Sequence, residues 1–280
     1  MTSFGAYNAR ENVTAAFCDY YKNGIPSDAS DLVRERIAVG RKYGLTTEAL
    51  ARLDVGLAQA ILINTVPVSV WMLFQIFSSP SLLDEIRSEV VPLCDNGNID
   101  PTKIRDACPL LTSIWQEVLR FTSYLPQGRT VLEDTMLDDR YLLTKGATVL
   151  IPSGIIHTDT GAWGPDAAVF NPRRFMPGQK KTTSAAFRGF GGGSLMCPGR
   201  HFAASEVMAF VATMIAGFDI VPKDGNSWVV PDRDTFNPSL GVLKPIESRE
   251  VRIERRRGWE NVMWSFSTED VNVSEVGKGI

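Results

Sequence analysis

The sequence predicts a mainly α-helical fold with a small β region. Apolar side chains repeat every three or four residues in several segments, most clearly over 108–123, as expected for helices that bury one face. An uncharged apolar stretch over 55–77 is long enough for a buried central helix. After Pro126 the pattern changes to short runs of β-branched and apolar residues, which favour strands. The 280 residues contain no repeat and no linker, so we predict a single domain over 1–280, with 258–280 as a loose tail.

Capping and turn residues delimit the predicted helices. Gly44 ends the first helix, and Thr46 offers a hydroxyl group that caps the second. Asp100 and Pro101 begin a short helix, because proline fits the first helical position. The predicted helices are 31–41, 46–78, 82–90, a short helix from 101, 108–123 and 201–214.

The β region is predicted from short apolar runs between turn residues. The predicted strands are 130–132, 140–143, 148–151, 242–243 and 251–253. Between the third and fourth of these, the segment 162–177 is rich in proline, glycine and aromatic residues. Such a composition predicts a packed, irregular meander rather than a helix or a strand.

Composition excludes several functions. A formal net charge of −3 gives no general attraction to nucleic acid, so no nucleic-acid partner is predicted. The four cysteines lack C-x-x-C spacing, and two histidines are too few for a histidine-rich metal site. Residues 1–10 lack the basic start and the apolar run of a signal peptide. The stretch 55–77 has the length of a membrane span, but Pro67 and several polar residues interrupt it, which favours a central helix.

A glycine-rich loop that leads into the helix over 201–214 carries one cysteine, Cys197. Glycine lets backbone N–H groups approach the sulfur, and Pro198 suits the first position of a helix. The positive end of the helix dipole favours the thiolate, which is the form that binds metal. Two other interpretations are an ordinary buried cysteine and a dinucleotide loop in which Ser194 replaces the third glycine. The loop reads Phe190-Gly191-Gly192-Gly193-Ser194-Leu195-Met196-Cys197-Pro198-Gly199-Arg200.

This loop resembles the haem-binding segment of cytochrome P-450 enzymes, Phe-x-x-Gly-x-x-x-Cys-x-Gly. The four fixed places are filled by Phe190, Gly193, Cys197 and Gly199. The resemblance covers 31–257 and implies the C-terminal portion of the cytochrome P-450 fold, lacking the N-terminal part. It also implies haem b as the cofactor, bound by these four residues, with the Cys197 thiolate as the axial ligand of the iron.

A second resemblance concerns a cluster of charges. Glu117 and Arg120 lie three residues apart inside an apolar helix, where charges are costly unless they are paired. In cytochrome P-450 enzymes such a pair binds an arginine of a Pro-x-Arg-Phe segment, here Arg174, and forms a structural triad. The alternative is a surface ion pair, which we expect for the similarly spaced Glu254 and Arg257.

Three further residues are interpreted from their position in the same resemblance. An arginine at the place of Arg129 contacts a haem propionate in the family, and the alternative is a solvated arginine at the end of a strand. His157 corresponds to a scaffold residue and is not predicted as a metal ligand. Leu195 stands where many members carry a basic residue directed at a propionate, so the resemblance implies one anchor fewer for the haem.

Asn64 and Thr65 match, by position, the acid and the threonine that handle oxygen and protons on the family's central helix. An amide in place of the acid cannot supply a proton as a carboxylic acid does. Pro67 cannot donate to the carbonyl of Ile63, so we expect the helix to open there. The Asn-Thr-x-Pro sequence followed by Trp71 resembles the branch that contains sterol 7/12-hydroxylases and prostacyclin synthase. The alternative is that both polar side chains bond the backbone at a kink.

The resemblance implies a haem-thiolate monooxygenase that oxidises a lipophilic small molecule of sterol, fatty-acid or secondary-metabolite type. It implies dioxygen as the oxidant and an NADPH-dependent reductase as the electron donor. Because some members of the resembled branch rearrange peroxides, Asn64 leaves a redox-neutral isomerase or dehydratase as an alternative. A third alternative is a truncated, non-catalytic fragment that does not retain haem. The family's usual anchor places the full-length protein at the cytosolic face of the endoplasmic reticulum membrane, whereas this chain alone shows no N-terminal anchor.

Overall fold

The chain forms two compact units, Met1–Leu62 and Ile63–Ile280, and each is described by itself. The computed structural model describes residues 4–25, 28–179, 182–225, 228–235 and 241–267. The prediction that the whole chain is one domain stays a prediction.

Helices dominate the described residues and the strands are short, as the sequence predicts. The α-helices are α1 (Phe4–Lys22), α2 (Asp31–Lys42), α3 (Thr47–Phe77), α4 (Pro80–Val90), α5 (Pro101–Ala107), α6 (Pro109–Thr122), α7 (Ser153–Ile156), α8 (Thr160–Trp163) and α9 (Arg200–Gly217). Short 3-10 helices cover Val91–Leu93 and Gly193–Leu195. The strands are β1 (Asn98–Ile99), β2 (Pro126–Thr130), β3 (Thr135–Leu137), β4 (Tyr141–Leu143), β5 (Thr148–Pro152), β6 (Phe218–Pro222), β7 (Val251–Arg255) and β8 (Ser265–Phe266).

Each strand has a single partner among the described residues, so the sheets are two-stranded. The pairs β2–β5, β3–β4 and β6–β7 are antiparallel, and β1–β8 is parallel. In the first of these pairs Arg129 lies opposite Val149. The described strands therefore form small, separate sheets in a mainly helical fold.

Helices start and end where the sequence places caps. The Asp100 carboxylate accepts hydrogen bonds from the backbone N–H groups of Thr102 and Lys103 at the start of α5. The hydroxyl of Thr46 accepts from the backbone N–H of Ala49, 3.2 Å away, at the start of α3. The sequence does not predict α1, because its apolar residues are spread around the helix and only Thr14 and Tyr21 are buried.

Three strands, β1, β3 and β8, are not predicted, and the β region differs from the prediction in three other places. Strand β2 starts at Pro126 instead of Thr130, because proline is tolerated as the first residue of a strand although it resembles a turn signal. Strand β6, which follows α9 directly after Gly217, is not predicted. The strand predicted over 242–243 is a single bridge between Val242 and Ser123.

The core of the Ile63–Ile280 unit is formed by apolar faces of α3, α4, α6 and α9. Trp71 and Met72 of α3, Ile114 of α6 and Val211 of α9 are at most 1% exposed. Burying each such side chain contributes about 1.5–3 kcal/mol relative to leaving it in water. The helices α6 and α9 are therefore firmly held, and they carry the two motifs identified in the sequence.

The described part of the predicted tail packs on this core. The rings of Trp259 and Trp264 stack with centroids 5.4 Å apart, and both side chains contact the core cluster. Strand β8 then pairs with β1. The fold therefore extends beyond residue 258, where the sequence predicts the tail to begin; residues 268–280 of that prediction lie outside the described residues.

In the Met1–Leu62 unit, α2 packs closely against the first turns of α3. A methyl group added at Gly40 would overlap the side chain of Leu50, so glycine permits the close approach. Tyr21, Ile37, Leu50 and Ala51 form a small buried cluster there. By length and composition alone, α3 is the one described helix that is apolar enough to cross a membrane, and half of its apolar window is buried.

Candidate functional site

The glycine-rich segment folds into a closed loop immediately before α9. Gly191 and Gly193 have positive φ angles of 80° and 70°, which residues with a Cβ rarely adopt. The loop closes where the backbone N–H of Cys197 donates to the carbonyl of Phe190, 2.9 Å away. Cys197 is exposed. It lies just before α9, the helix that the sequence predicts after this loop. Gly199 is its near neighbour, because a Cβ there would lie 3.8 Å from the Cys197 sulfur.

This loop rests on α6. The rings of Phe190 and Trp115 have centroids 5.8 Å apart. A Cβ at Gly189 would lie 3.1 Å from the Cβ of Leu119, and one at Gly192 would overlap the guanidinium of Arg188. A side chain at Gly189 would therefore press on α6 and on the Phe187 ring, and one at Gly192 would displace the Arg188 guanidinium.

Cys197 differs chemically from two of the other cysteines. Burial raises the pKa of Cys94 to about 11 and that of Cys108 to about 12, so both remain thiols at neutral pH. Cys197 is exposed, and its sulfur is free to meet a ligand. Among the described residues no cluster of three histidine, cysteine or acidic side chains could hold a metal ion. A lone exposed sulfur on a rigid loop fits a metal whose remaining ligands come from a macrocycle, as in haem.

Strand β2 runs along the loop and brings Arg129 to it. The Arg129 guanidinium donates to the carbonyl of Gly192, 3.4 Å away, and to that of Gly128, 2.9 Å away. Gln127 contacts the loop at Gly191. Arg129 is half-buried beside the cysteine loop and carries two parallel donors that suit a carboxylate. Its contact with a haem propionate stays a prediction.

The predicted cluster of Glu117, Arg120 and Arg174 is present. Glu117 and Arg120 are fully buried and form two hydrogen bonds of 2.7 Å each. Arg174 donates to Glu117 over 3.2 Å, and the backbone N–H of Asn171 donates to the same carboxylate over 2.9 Å. The carboxylate is therefore paired from both sides, as a buried charge requires.

The two arginines also bind the meander and the neighbouring His157. Arg120 donates to the carbonyls of His157 (2.5 Å), Ala167 (2.8 Å) and Val169 (3.3 Å). Arg174 binds the carboxylate of Asp166 at 3.1 and 3.0 Å, and it lowers the pKa of that carboxyl group. The sequence does not predict Asp166 as a member of this cluster.

His157 is a scaffold residue. Its side chain is 1% exposed, and its Nε2 accepts a hydrogen bond of 2.8 Å from the backbone N–H of Arg188. Burial, with a smaller contribution from the Arg120 charge, lowers the pKa of His157 from 6.5 to about 4. A neutral imidazole therefore links the meander to the segment that enters the cysteine loop.

The pH dependence of stability follows from this lowered pKa. Since the unfolded chain binds the proton more readily, the contribution of His157 is fully present above its ordinary pKa and is lost as pH falls from 6.5 to about 4. The loss amounts to about 3 kcal/mol in total. We expect His157→Gln to remove this part of the pH dependence in urea unfolding at about pH 7 and about pH 4.5. His201→Gln is the control, because His201 is exposed. If the pH dependence of the unfolding free energy is the same for His157→Gln as for the wild type, the assignment is contradicted.

Asn64 and Thr65 lie in the second unit on α3, which is helical without a break through Pro67. The expected opening at Pro67 is therefore not present as an interruption of the helix. Thr65 is buried, and its carbonyl accepts a hydrogen bond of 2.9 Å from the Ser69 hydroxyl. The Asn64 carboxamide lies against Gly241, a contact that the sequence does not predict.

The family follows from comparison with known proteins. The family model described as Cytochrome P450 matches residues 45–251. The chain belongs to the cytochrome P450 family. A crystal structure of a cytochrome P450 superposes with a TM-score of 0.72, covering 90% of this chain and 56% of that one, at 21% identity, and shows the shared fold.

Relatives in the family include monooxygenases. A cytochrome P450 monooxygenase of Gibberella zeae is 34% identical over 92% of this chain and 53% of that protein. Cytochrome P450 monooxygenase nodJ of Hypoxylon pulicicidum is 33% identical over 95% of this chain and 55% of that protein. The cholesterol 7-alpha-monooxygenase of Cricetulus griseus is 26% identical over 88% of this chain and 53% of that protein. The chain thus spans about half the length of these relatives, and it has the cytochrome P450 fold over that part.

Proposed function

We propose that the chain acts in a haem-thiolate monooxygenase. The observation that carries the proposal is the exposed Cys197 sulfur, held on a closed glycine loop at the start of α9 and supported by α6. Haem b suits these residues, with Cys197 as the axial ligand, and Phe190, Gly193 and Gly199 shaping the loop. When bound, the haem would supply oxidation by activated dioxygen.

The protein's own residues have separate tasks in this proposal. The Cys197 thiolate would hold the iron, and the guanidinium of Arg129 would pair with a propionate. The Thr65 hydroxyl can both accept and donate a hydrogen bond, so it can orient a water molecule and pass a proton. Asn64 can orient a substrate oxygen or a water, but it cannot serve as an acid. Glu117, Arg120 and Arg174 act on structure only, because they are enclosed by the meander.

The proposed substrate is a lipophilic small molecule of sterol, fatty-acid or secondary-metabolite type. The names of the relatives support this range, since one is a cholesterol 7-alpha-monooxygenase and others are fungal monooxygenases. We propose an NADPH-dependent reductase as the electron donor. The proposed location is the cytosolic face of the endoplasmic reticulum membrane.

A second candidate function is redox-neutral isomerisation or dehydration of a peroxide. The observation that favours it is Asn64, an amide at the position where the family's acid would deliver protons. An enzyme of this kind needs no electron donor, so the two functions differ in their requirement for NADPH and reductase.

The test uses Thr65→Ala in the haem-loaded chain with reductase and NADPH. We expect the wild type to consume oxygen only with the donor, and the variant to bind haem equally but to release several-fold more hydrogen peroxide per NADPH. Thr14→Ala is the control, because Thr14, like Thr65, is a buried threonine in a helix, and its hydroxyl donates to the backbone carbonyl of Arg10. Conversion of an organic hydroperoxide without NADPH would favour the isomerase, and a folded chain that takes up no haem would favour a non-catalytic fragment.

A further inference from the structure

We infer that Gly241 is a positioning residue that fixes the Asn64 carboxamide, and this inference rests on the proposed function of Asn64. A Cβ built at Gly241 would overlap Asn64 Oδ1 and lie 3.5 Å from its Cγ and 3.9 Å from its Nδ2. The space that a side chain would need at position 241 is therefore occupied by the amide of Asn64.

The contact with Asn64 gives a reason for glycine at position 241. Many glycines of this chain have positive φ angles, but Gly241 is not one of them, so a left-handed backbone is not the reason for this glycine. The three nearest atoms that an added methyl group would meet all belong to Asn64. An alanine at this position would therefore act first on Asn64.

Hydrogen bonds hold the backbone of Gly241 and Leu243 from two sides. Its carbonyl accepts from the backbone N–H of Tyr124 over 3.2 Å, and the backbone N–H of Leu243 donates to Thr122 over 2.9 Å. From the other side, the indole N–H of Trp71 donates to the Leu243 carbonyl over 2.7 Å. These bonds tie the segment 241–243 to the end of α6 and to α3.

Trp71 and Asn64 belong to the same face of α3, because seven residues make about two helical turns. Trp71 is 1% exposed and anchors the segment, while Gly241 meets the amide two turns earlier. The helix and the segment thus define a fixed slot for one carboxamide beside Thr65. An amide held in one orientation fixes the directions of its N–H donors and of its carbonyl acceptor, which allows it to orient a substrate oxygen or a water.

A double-mutant cycle tests the inference through stability, without a need for turnover. Gly241→Ala is expected to lower the midpoint of thermal unfolding by roughly 2–12 °C, the shift expected for overpacking in a chain of this size. In the Asn64→Ala background the same substitution should cost less than half as much, because the overlapping atoms are gone. Gly56→Ala is the control, since a Cβ at that helical glycine meets nothing within 4 Å. Equal shifts in the two backgrounds would overturn the inference.

A second readout links the contact to the reaction. In the haem-loaded chain with reductase, Gly241→Ala should raise the hydrogen peroxide released per NADPH to the level of Asn64→Ala, and the double variant should match both. If Gly241→Ala fails to fold, restoration of folding by Asn64→Ala supports the slot, and no restoration contradicts it. A coupled stability cycle in a chain that takes up no haem would leave the slot in place and refute the proposed function. Additive stability effects in a chain with monooxygenase activity would refute the slot and leave the proposed function in place.

Discussion

Glu117→Gln is expected to lower the free energy of unfolding by about 3–5 kcal/mol. Glutamine preserves the shape of the side chain but removes the charge, which leaves the buried guanidinium of Arg120 without its compensating partner. Arg174 loses the same charged partner and retains the Asp166 carboxylate together with its bonds to backbone carbonyls. Urea unfolding of the purified chain measures the effect directly.

A matched control exists on the surface of the same unit. Glu85 pairs with Arg173 at 2.7 Å, but both side chains are 48% exposed, so Glu85→Gln should cost no more than about 1 kcal/mol. If Glu117→Gln does not fold, Arg174→Lys provides a milder variant, since lysine cannot bind Asp166 and Glu117 together as a guanidinium does. Equal costs for Glu117→Gln and Glu85→Gln would show that the buried cluster is not a stabilising centre.

Cys197→Ala is expected to abolish the thiolate-type spectrum of the haem-loaded chain. In the reduced, carbon monoxide-bound wild type we expect a red-shifted Soret band, because a thiolate donates electron density to the iron. Cys197 is exposed and outside the core cluster, so the free energy of unfolding should change by less than about 0.5 kcal/mol. The loss of the band with stability retained would separate ligation from folding.

Cys94→Ala and Cys18→Ala serve as controls for this experiment. Cys94 is a thiol at neutral pH because burial raises its pKa to about 11, and Cys18 lies in the other unit. Both variants should therefore keep the spectrum of the wild type. If Cys197→Ala keeps it too, another residue binds the iron.

Local patterns were sufficient to predict most helices and the outline of the site. The charges of Glu117 and Arg120 stand within an apolar helix, and burial without pairing would be prohibitive, so a partner had to exist. The cysteine loop was predictable because its glycines and Pro198 act through local backbone geometry. The start of β2 was not predictable, since Pro126 and Gly128 have the composition of a turn and only pairing with β5 makes them a strand.

The remaining differences arise from contacts between distant parts of the chain. Pro67 removes one backbone donor, yet α3 continues because Val68, Trp71 and Met72 are buried in the core around it. Asp166 joins the charge cluster only after the meander folds back on α6. The contact of Gly241 with Asn64 depends on hydrogen bonds to Trp71 and Thr122, which no local sequence pattern encodes.

The acceptors used by Arg120 have a consequence for sequence variation. In the segment 157–169, the guanidinium donates to the main-chain oxygens of His157, Ala167 and Val169, and it lies over the Trp163 ring, 5.2 Å from its centroid. Any residue with a compatible backbone conformation presents the same oxygen, so the path of this segment is specified independently of most of its side chains. Substitutions on the outer face of the segment can therefore accumulate while Glu117, Arg120 and Arg174 keep the path of its backbone unchanged.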